Sequence, residues 1–185
     1  TDTPNAQLHI FFFFSTGGQG AIDEGELGVQ ALLDSVQRAD ATGVGAGYYA
    51  VGVNMASAES STTTTAKLAD DVKVLGKTLQ IIADSTDDNF AKSTAGTGGI
   101  FAGSAAVAST KSNSQTEALT GRGSKVEAIE VEKLTMRATR RTVFNSSVDT
   151  LQASLAGASG ALASNQVGSA VTAALGNGAY VNTND

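Results

Sequence analysis

The chain has 185 residues, a formal net charge of -6, no cysteine and no tryptophan. Ala, Gly, Ser and Thr account for close to half of the residues, and aromatic residues for only 5%. The acidic charge argues against a nucleic-acid-binding protein, and the lack of thiols excludes disulfides, zinc–thiolate sites and cysteine nucleophiles. The longest apolar run, 10–14, is far shorter than the roughly 20 residues that span a bilayer, so we expect no membrane-spanning segment.

The composition also limits the kind of core that the chain can build. Because large apolar side chains are few, a single compact globule would bury little apolar surface per residue. A hydrophobic fraction of 41% together with a modest net charge argues against a disordered chain. A regular structure in which stacked strands share backbone hydrogen bonds suits this composition better.

An internal repeat organises the sequence, with offsets of 52 and 55 residues between equivalent positions. Three features recur in one register: an alternating run of five residues, an apolar–Ala–Ser triplet and a single valine. The runs are 27–31, 79–83 and 134–138, the triplets are 55–57, 107–109 and 162–164, and the valines are Val74, Val126 and Val181.

We therefore divide the chain into an N-terminal segment, 1–26, and three repeats, 27–76, 77–128 and 129–185. The three additional residues of the third repeat fit between Val126 and Leu134. A fourth repeat would be due soon after Val181, so we expect the chain to be a piece of a longer array.

The repeat unit alternates apolar and other residues with period two, which is typical of strands. We predict that the recurring positions form the repeat core: Leu27, Val29, Ala31, Leu79, Ile81, Ala83, Leu134, Met136, Ala138, Val74, Val126 and Val181. Clusters of Gly, Asn, Asp and Ser at 84–89 and 176–178 predict turns between the strands.

These patterns predict an all-β fold, specifically a parallel β-solenoid (β-helix) built from three repeats of about 52–55 residues. A unit of this length fits either two coils or one wide coil with long faces. The alternative is a helical filament subunit, because the residues 126–141 contain many helix formers. The glycines at 43–47 and 96–99 argue against helix in the equivalent parts of the other repeats.

The most hydrophobic stretch of the chain lies in the N-terminal segment, outside the repeat. It predicts a strand buried on both faces, or a junction through which subunits assemble. The residues concerned are Ile10, Phe11, Phe12, Phe13 and Phe14.

Few residues suggest chemistry, so we expect no catalytic residue, no cofactor and no enzymatic activity. The single histidine, His9, lies in the apolar run and is interpreted as packing. Asp84, Asp87 and Asp88 are weak candidates for calcium ligands, since this ion prefers several oxygen ligands, but a solvated turn is the favoured interpretation.

A basic cluster lies in the third repeat, where the second repeat carries these aspartates. It consists of Arg137, Arg140 and Arg141. Its arginines could contact an anionic glycan or a neighbouring acidic turn, although a solvated edge is the simpler interpretation.

The stretch 171–182, with Leu175-Gly176-Asn177-Gly178-Ala179, resembles the tandem units of giant bacterial surface proteins, the filamentous-haemagglutinin-like and leukotoxin-like adhesins. Degenerate versions occur at 66–74 and 117–126. The resemblance implies a β-solenoid stalk that is secreted and displayed at the cell surface. It implies no catalytic residues.

Two functional hypotheses follow. In the first, the chain is a structural segment of a secreted cell-surface adhesin or extracellular fibre and acts as a stiff stalk. In the second, it is a small secreted subunit that assembles into an extracellular filament by strand addition through Ile10–Phe14. Both predict that the chain's main partner is itself, with surface glycans as a further candidate, and neither involves nucleic acid.

Overall fold

The computed structural model describes residues 5–14, 26–74, 76–127 and 133–183. These residues form an all-β fold with the following strands: β1 Asn5–Phe14, β2 Glu26–Ala46, β3 Tyr49–Ser60, β4 Thr63–Lys67, β5 Lys73–Val74, β6 Thr78–Ser112, β7 Gln115–Leu119, β8 Lys125–Glu127, β9 Lys133–Val167, β10 Ala170–Ala174 and β11 Tyr180–Asn182. Within these ranges there is no helix, so the helical alternative is wrong. The glycines and β-branched residues of the repeats favour strands over helix.

The strands after β1 pair in parallel, in three sheets. In the largest sheet, β6 lies between β9 on one side and both β2 and β3 on the other. The two smaller sheets have the strand orders β10-β7-β4 and β11-β8-β5. Strands that are distant in sequence therefore become direct neighbours, and the chain passes through the same three sheets three times.

The pairing register has the same spacing as the repeat in the sequence. Leu27 pairs with Leu79 and Leu79 with Leu134, which are steps of 52 and 55 residues. The smaller sheets keep these steps, since Val74 pairs with Val126 and Val126 with Val181. We refer below to 27–74 as the first segment, 79–126 as the second and 134–181 as the third.

The long strand β6 turns a corner near its middle. Its buried side chains are at odd positions as far as Thr97 and at even positions from Ala102 onward. Hydrogen bonds from Ser112 and Ser114 to Asp87 cross the interior and show that the two halves face each other. The corner is tight, because a Cβ atom on Gly99 would overlap the carbonyl oxygen of Gly47 in the first segment.

The interior changes character along its length. At one end lies an apolar cluster in which Leu79, Ile81 and Ala83 pack with Ala66 and Ala118. A second, smaller cluster is built only from alanines, with Val148 beside it; its buried members are Ala56, Ala58, Ala91 and Ala108. Between the two clusters the interior is polar. Small side chains thus keep the two facing sheets close together.

The structure places the twelve predicted core residues as follows. Val29, Ala31, Val74, Leu79, Ile81 and Ala83 are buried members of the apolar cluster, and Leu27, Leu134, Met136, Ala138 and Val181 are partly buried and pack against it. Val126 lies in β8 and pairs with Val74 and Val181, but its side chain is outside the described part of the structure.

Of the two predicted turns, one is confirmed and one is wrong. Residues 177–178 form a turn in which Gly178 has a positive φ of 73°. Residues 84–89, in contrast, lie inside the uninterrupted strand β6. Their polar side chains were taken for a turn signal, but alternate ones point into a polar interior.

The N-terminal strand β1 pairs antiparallel with β2, from Asn5 opposite Val36 to Phe14 opposite Leu27. The predicted strand is thus present, and it covers one part of the outer edge of β2. The side chains of Ile10–Phe14 and of His9 are outside the described part of the structure, so their predicted burial remains a prediction.

Stacked turns place strict limits on side-chain size. A Cβ atom on Gly121 would overlap the backbone of Ala69 in the segment above, whereas one on Gly160 would meet no atom within 4 Å. We expect Gly121→Ala to destabilise the fold by about 1–3 kcal/mol, because the neighbouring backbone must move.

The matched control is Gly160→Ala, for which we expect a change below about 1 kcal/mol. Urea unfolding followed by circular dichroism measures both variants. Equal effects would show that the turns are not stacked as closely as described.

Candidate functional site

A buried polar cluster occupies the interior between the two apolar clusters and centres on Asp87, whose side chain is fully buried. We define the Asp87 cluster as Ser60, Thr62, Asp87, Ser112, Ser114 and Arg140. Its members come from all three segments. Because each lies on a strand of the stacked sheets, the cluster joins the segments to one another through their side chains.

The Asp87 carboxylate accepts hydrogen bonds on both oxygens. Its Oδ2 atom accepts from the hydroxyls of Ser60 at 3.0 Å and of Ser112 and Ser114 at 2.9 Å. Its Oδ1 atom accepts from the Thr62 hydroxyl at 3.4 Å. These four hydroxyl donors replace the water that a carboxylate would have at the surface.

The opposite charge comes from Arg140 in the third segment, whose side chain is only 2% exposed. Its guanidinium forms an ion pair with Asp87 and also donates to Ser85 Oγ and Thr116 Oγ1, both at 3.2 Å. In the register, Arg140 pairs with Ser85, so its side chain reaches from one segment into the next. A buried charge pair of this kind is stable only with such further hydrogen bonds.

Two buried polar atoms of this region have no partner among the described residues. They are Nε of Arg140 and Oδ1 of Asn89, whose amide nitrogen donates to Ser60 at 3.0 Å. The cluster is therefore satisfied around the carboxylate and less completely at its margins. Its chemistry is that of a structural tie, since every hydroxyl donates its proton to a carboxylate or lies beside the guanidinium.

The three predicted calcium ligands do not converge. Alternation along β6 places Asp87 in the interior, whereas Asp84 and Asp88 lie on the opposite face. Among the described residues, no group of three acidic or histidine side chains could hold a metal ion. The favoured interpretation as a solvated turn is also wrong for Asp87, because that residue is in a buried part of a strand.

The basic cluster is divided between the two faces in the same way. Arg140 points inward, while Arg137 forms an outer ion pair of 2.8 Å with Asp84. Arg141 lines an open cleft of about 460 Å³ on the outer surface, together with Asp34 and Thr86. Two arginines thus pair with aspartates of the preceding segment, one on each face.

A further charged contact lies at the turn after β4. The backbone amide of Arg122 donates to the Asp70 carboxylate at 3.0 Å, and Lys67 lies 3.1 Å away. This hydrogen bond, with the ammonium adding to it, holds the pKa of Asp70 below its ordinary value. The contact joins the first and second segments at the surface.

The third segment ends the stack and is much more exposed than the second. Residues 155–173 are exposed throughout, whereas their equivalents 100–118 in the second segment alternate with buried positions. Val167, for example, is 51% exposed although it pairs with the fully buried Ser112. Among the described strands, β9 pairs only with β6, so its other edge carries free backbone groups.

Comparison with protein-family models, with curated proteins and with solved structures gives no match. Across the ranges 5–14, 26–74, 76–127 and 133–183, no helix has the length and apolar character needed to cross a bilayer. Function therefore has to be argued from the architecture and from the Asp87 cluster.

We expect Asp87→Asn to destabilise the protein by about 3–5 kcal/mol, because the substitution leaves the Arg140 guanidinium buried without its counter-charge. The matched control is Asp84→Asn, which removes the same charge from the exposed ion pair and should cost less than about 1 kcal/mol.

Equilibrium urea unfolding at neutral pH compares the two variants. If Asp87→Asn cost no more than Asp84→Asn, the Asp87 cluster would not tie the segments together.

Proposed function

We propose that the chain is a segment of a β-solenoid in which each repeat forms one wide coil, and that it acts as a stiff stalk in a secreted cell-surface adhesin or extracellular fibre. The observation that carries this proposal is the parallel register, which keeps the same two steps of 52 and 55 residues in all three sheets. One sequence offset that serves every sheet is typical of stacked coils.

The mechanism of such a stalk is geometric. Each added coil continues the backbone ladders at a rise of about 4.8 Å, so the length of the array grows with the number of repeats. Stiffness comes from the long ladders, because β6 and β9 pair over nearly their whole length of 35 residues. The Asp87 cluster adds a tie between coils that does not depend on the backbone.

Secretion and surface display are supported by the resemblance of 66–74, 117–126 and 171–182 to adhesin repeats. The outer cleft near Arg141 offers both charges to a sugar acid, with Asp34 and Asp84 on its walls. A contact with surface glycans would belong there, as a secondary role of the stalk.

A second candidate function is that of a small subunit that forms extracellular filaments. The free edge of β9 favours it, since an unpaired strand edge is a template for another chain. So does β1, which adds to an edge of its own chain and could add to that of another. In this candidate, Ile10–Phe14 would be the exchanged strand.

The test uses an antibody raised against the purified chain and intact cells of the source organism. We expect the antibody to label unbroken cells and to detect, after denaturation, a polypeptide far larger than 18.6 kDa. Protease treatment of the intact cells should remove the signal.

A denatured polypeptide near 18.6 kDa would favour the filament subunit instead. In that case Phe12→Pro, which removes a backbone donor from β1, should abolish the filaments. Labelling that occurs only after cell lysis would contradict both candidates.

A further inference from the structure

The two broad outer faces of the protein differ in charge. The face formed by 30–44, 82–96 and 137–151 carries charged side chains, among them Asp40, Lys92 and Asp149. The opposite face, which we call the return face, consists of the outward-facing residues of 49–57, 101–109 and 156–164. None of these residues is charged, and the first charges beyond them are the ion pair of Glu59 and Lys111.

The return face is apolar and open. Its first row is Tyr49, Val51, Val53 and Met55, all of which are more than half exposed. Tyr49 stacks on Phe101 of the second row with ring centroids 5.4 Å apart. A surface that is flat, uncharged and apolar is typical of one that another surface covers.

Side-chain size falls steadily across the face. The first segment contributes the large row just described, and the second contributes Phe101, Gly103, Ala105 and Val107. The third contributes mostly small residues, namely Ala156, Ala158, Gly160 and Leu162, which pair with the second row. A groove of about 350 Å³ lies beside Phe101 and is bordered by Ala156 and Gly157.

We propose that the return face binds the return face of a second copy of this chain, through a two-fold axis that runs along the middle strand. This rotation keeps the position along the strand and exchanges the first segment with the third. The large row of each copy then lies over the small row of the other, so that Tyr49 of one copy covers Ala156 of the second. A two-fold interface requires such self-complementarity.

The second copy is favoured as the occupant by shape and by spacing. Its sheet has the same rise of about 4.8 Å between rows and packs face to face at about 10 Å, as in β-sandwiches. The uncharged faces avoid the repulsion that the net charge of -6 would otherwise cause between copies. Lateral pairing goes beyond the proposed stalk, because it would join two stalks side by side.

The interface is small, so the association should be weak. Nine residues by three strands cover about 400 Å² on each copy, which totals about 800 Å² and is below the size of most stable interfaces. We therefore expect a reversible, concentration-dependent dimer, and stronger pairing where an array offers several faces in a row.

Sedimentation of the full chain over a concentration series tests the proposal with two matched variants. Val51, on the return face, is 83% exposed, and Val44, on the charged face, is 81% exposed. We expect Val51→Lys to weaken dimerisation more than about tenfold, since an isologous interface contains each substitution twice. Val44→Lys should change it less than about twofold. Both side chains are exposed, so circular dichroism should show unchanged folding.

Cysteine cross-linking tests the predicted orientation, because the chain has no cysteine of its own. With a short bis-maleimide, Ala105→Cys near the axis should cross-link to itself. Tyr49→Cys should cross-link in a mixture with Ala156→Cys but not with itself.

A chain that stays monomeric at every concentration would overturn the proposal, as would equal effects of Val51→Lys and Val44→Lys. Open-ended growth that Val51→Lys leaves unchanged would assign self-association to the free edge of β9. Binding to phosphatidylcholine vesicles without dimerisation would assign the return face to a lipid surface. Each of these last two results also contradicts the proposed dimer, and none of them bears on whether the chain forms a stalk.

Discussion

Parallel backbone pairing between segments is the interaction on which the rest of this structure depends. The side chains are too small to stabilise a globule by apolar burial alone, since much of the interior is Ala, Ser and Thr. Backbone hydrogen bonds between segments do not require large side chains, and they repeat at every residue of the long strands. The register of these bonds decides which side chains meet, which turns stack and which faces remain open.

A thin interior follows from this constraint and explains both the glycines and the buried charges. The facing sheets approach closely enough for the hydroxyls of Ser112 and Ser114 to reach Asp87 across the interior. At the turns, the backbone of one segment lies against the next, so Gly121 has no room for a Cβ atom. A stalk assembled from such segments would owe its stiffness to backbone ladders, with the ion pair of Asp87 and Arg140 as an additional tie.

Much of the pairing could be predicted from the sequence, because the offsets of the apolar rows and of the register have the same origin. Residues that stack must be of similar size and polarity, as the triplets at 55–57, 107–109 and 162–164 are. The Asp87 cluster was missed because polar residues in a row were interpreted as a turn. Counting by twos from Ala83 would have placed Asp87 in the interior, and from Ala138 it would have placed Arg140 there. The return face was also missed, since it appears only when the outward residues of three segments are read together.

The central claim is that segments far apart in sequence are stacked in register, and electron paramagnetic resonance of paired spin labels tests it most directly. Asp40 and Ser147 both pair with Lys92, on its two sides, and their side chains are exposed. Labels at these two sites should therefore lie about 10 Å apart at the backbone and show strong dipolar broadening. In the control pair Asp40 and Lys133, the second label is displaced along the strand by about 46 Å and should show none. Equal spectra for the two pairs, without broadening, would contradict the stacked register.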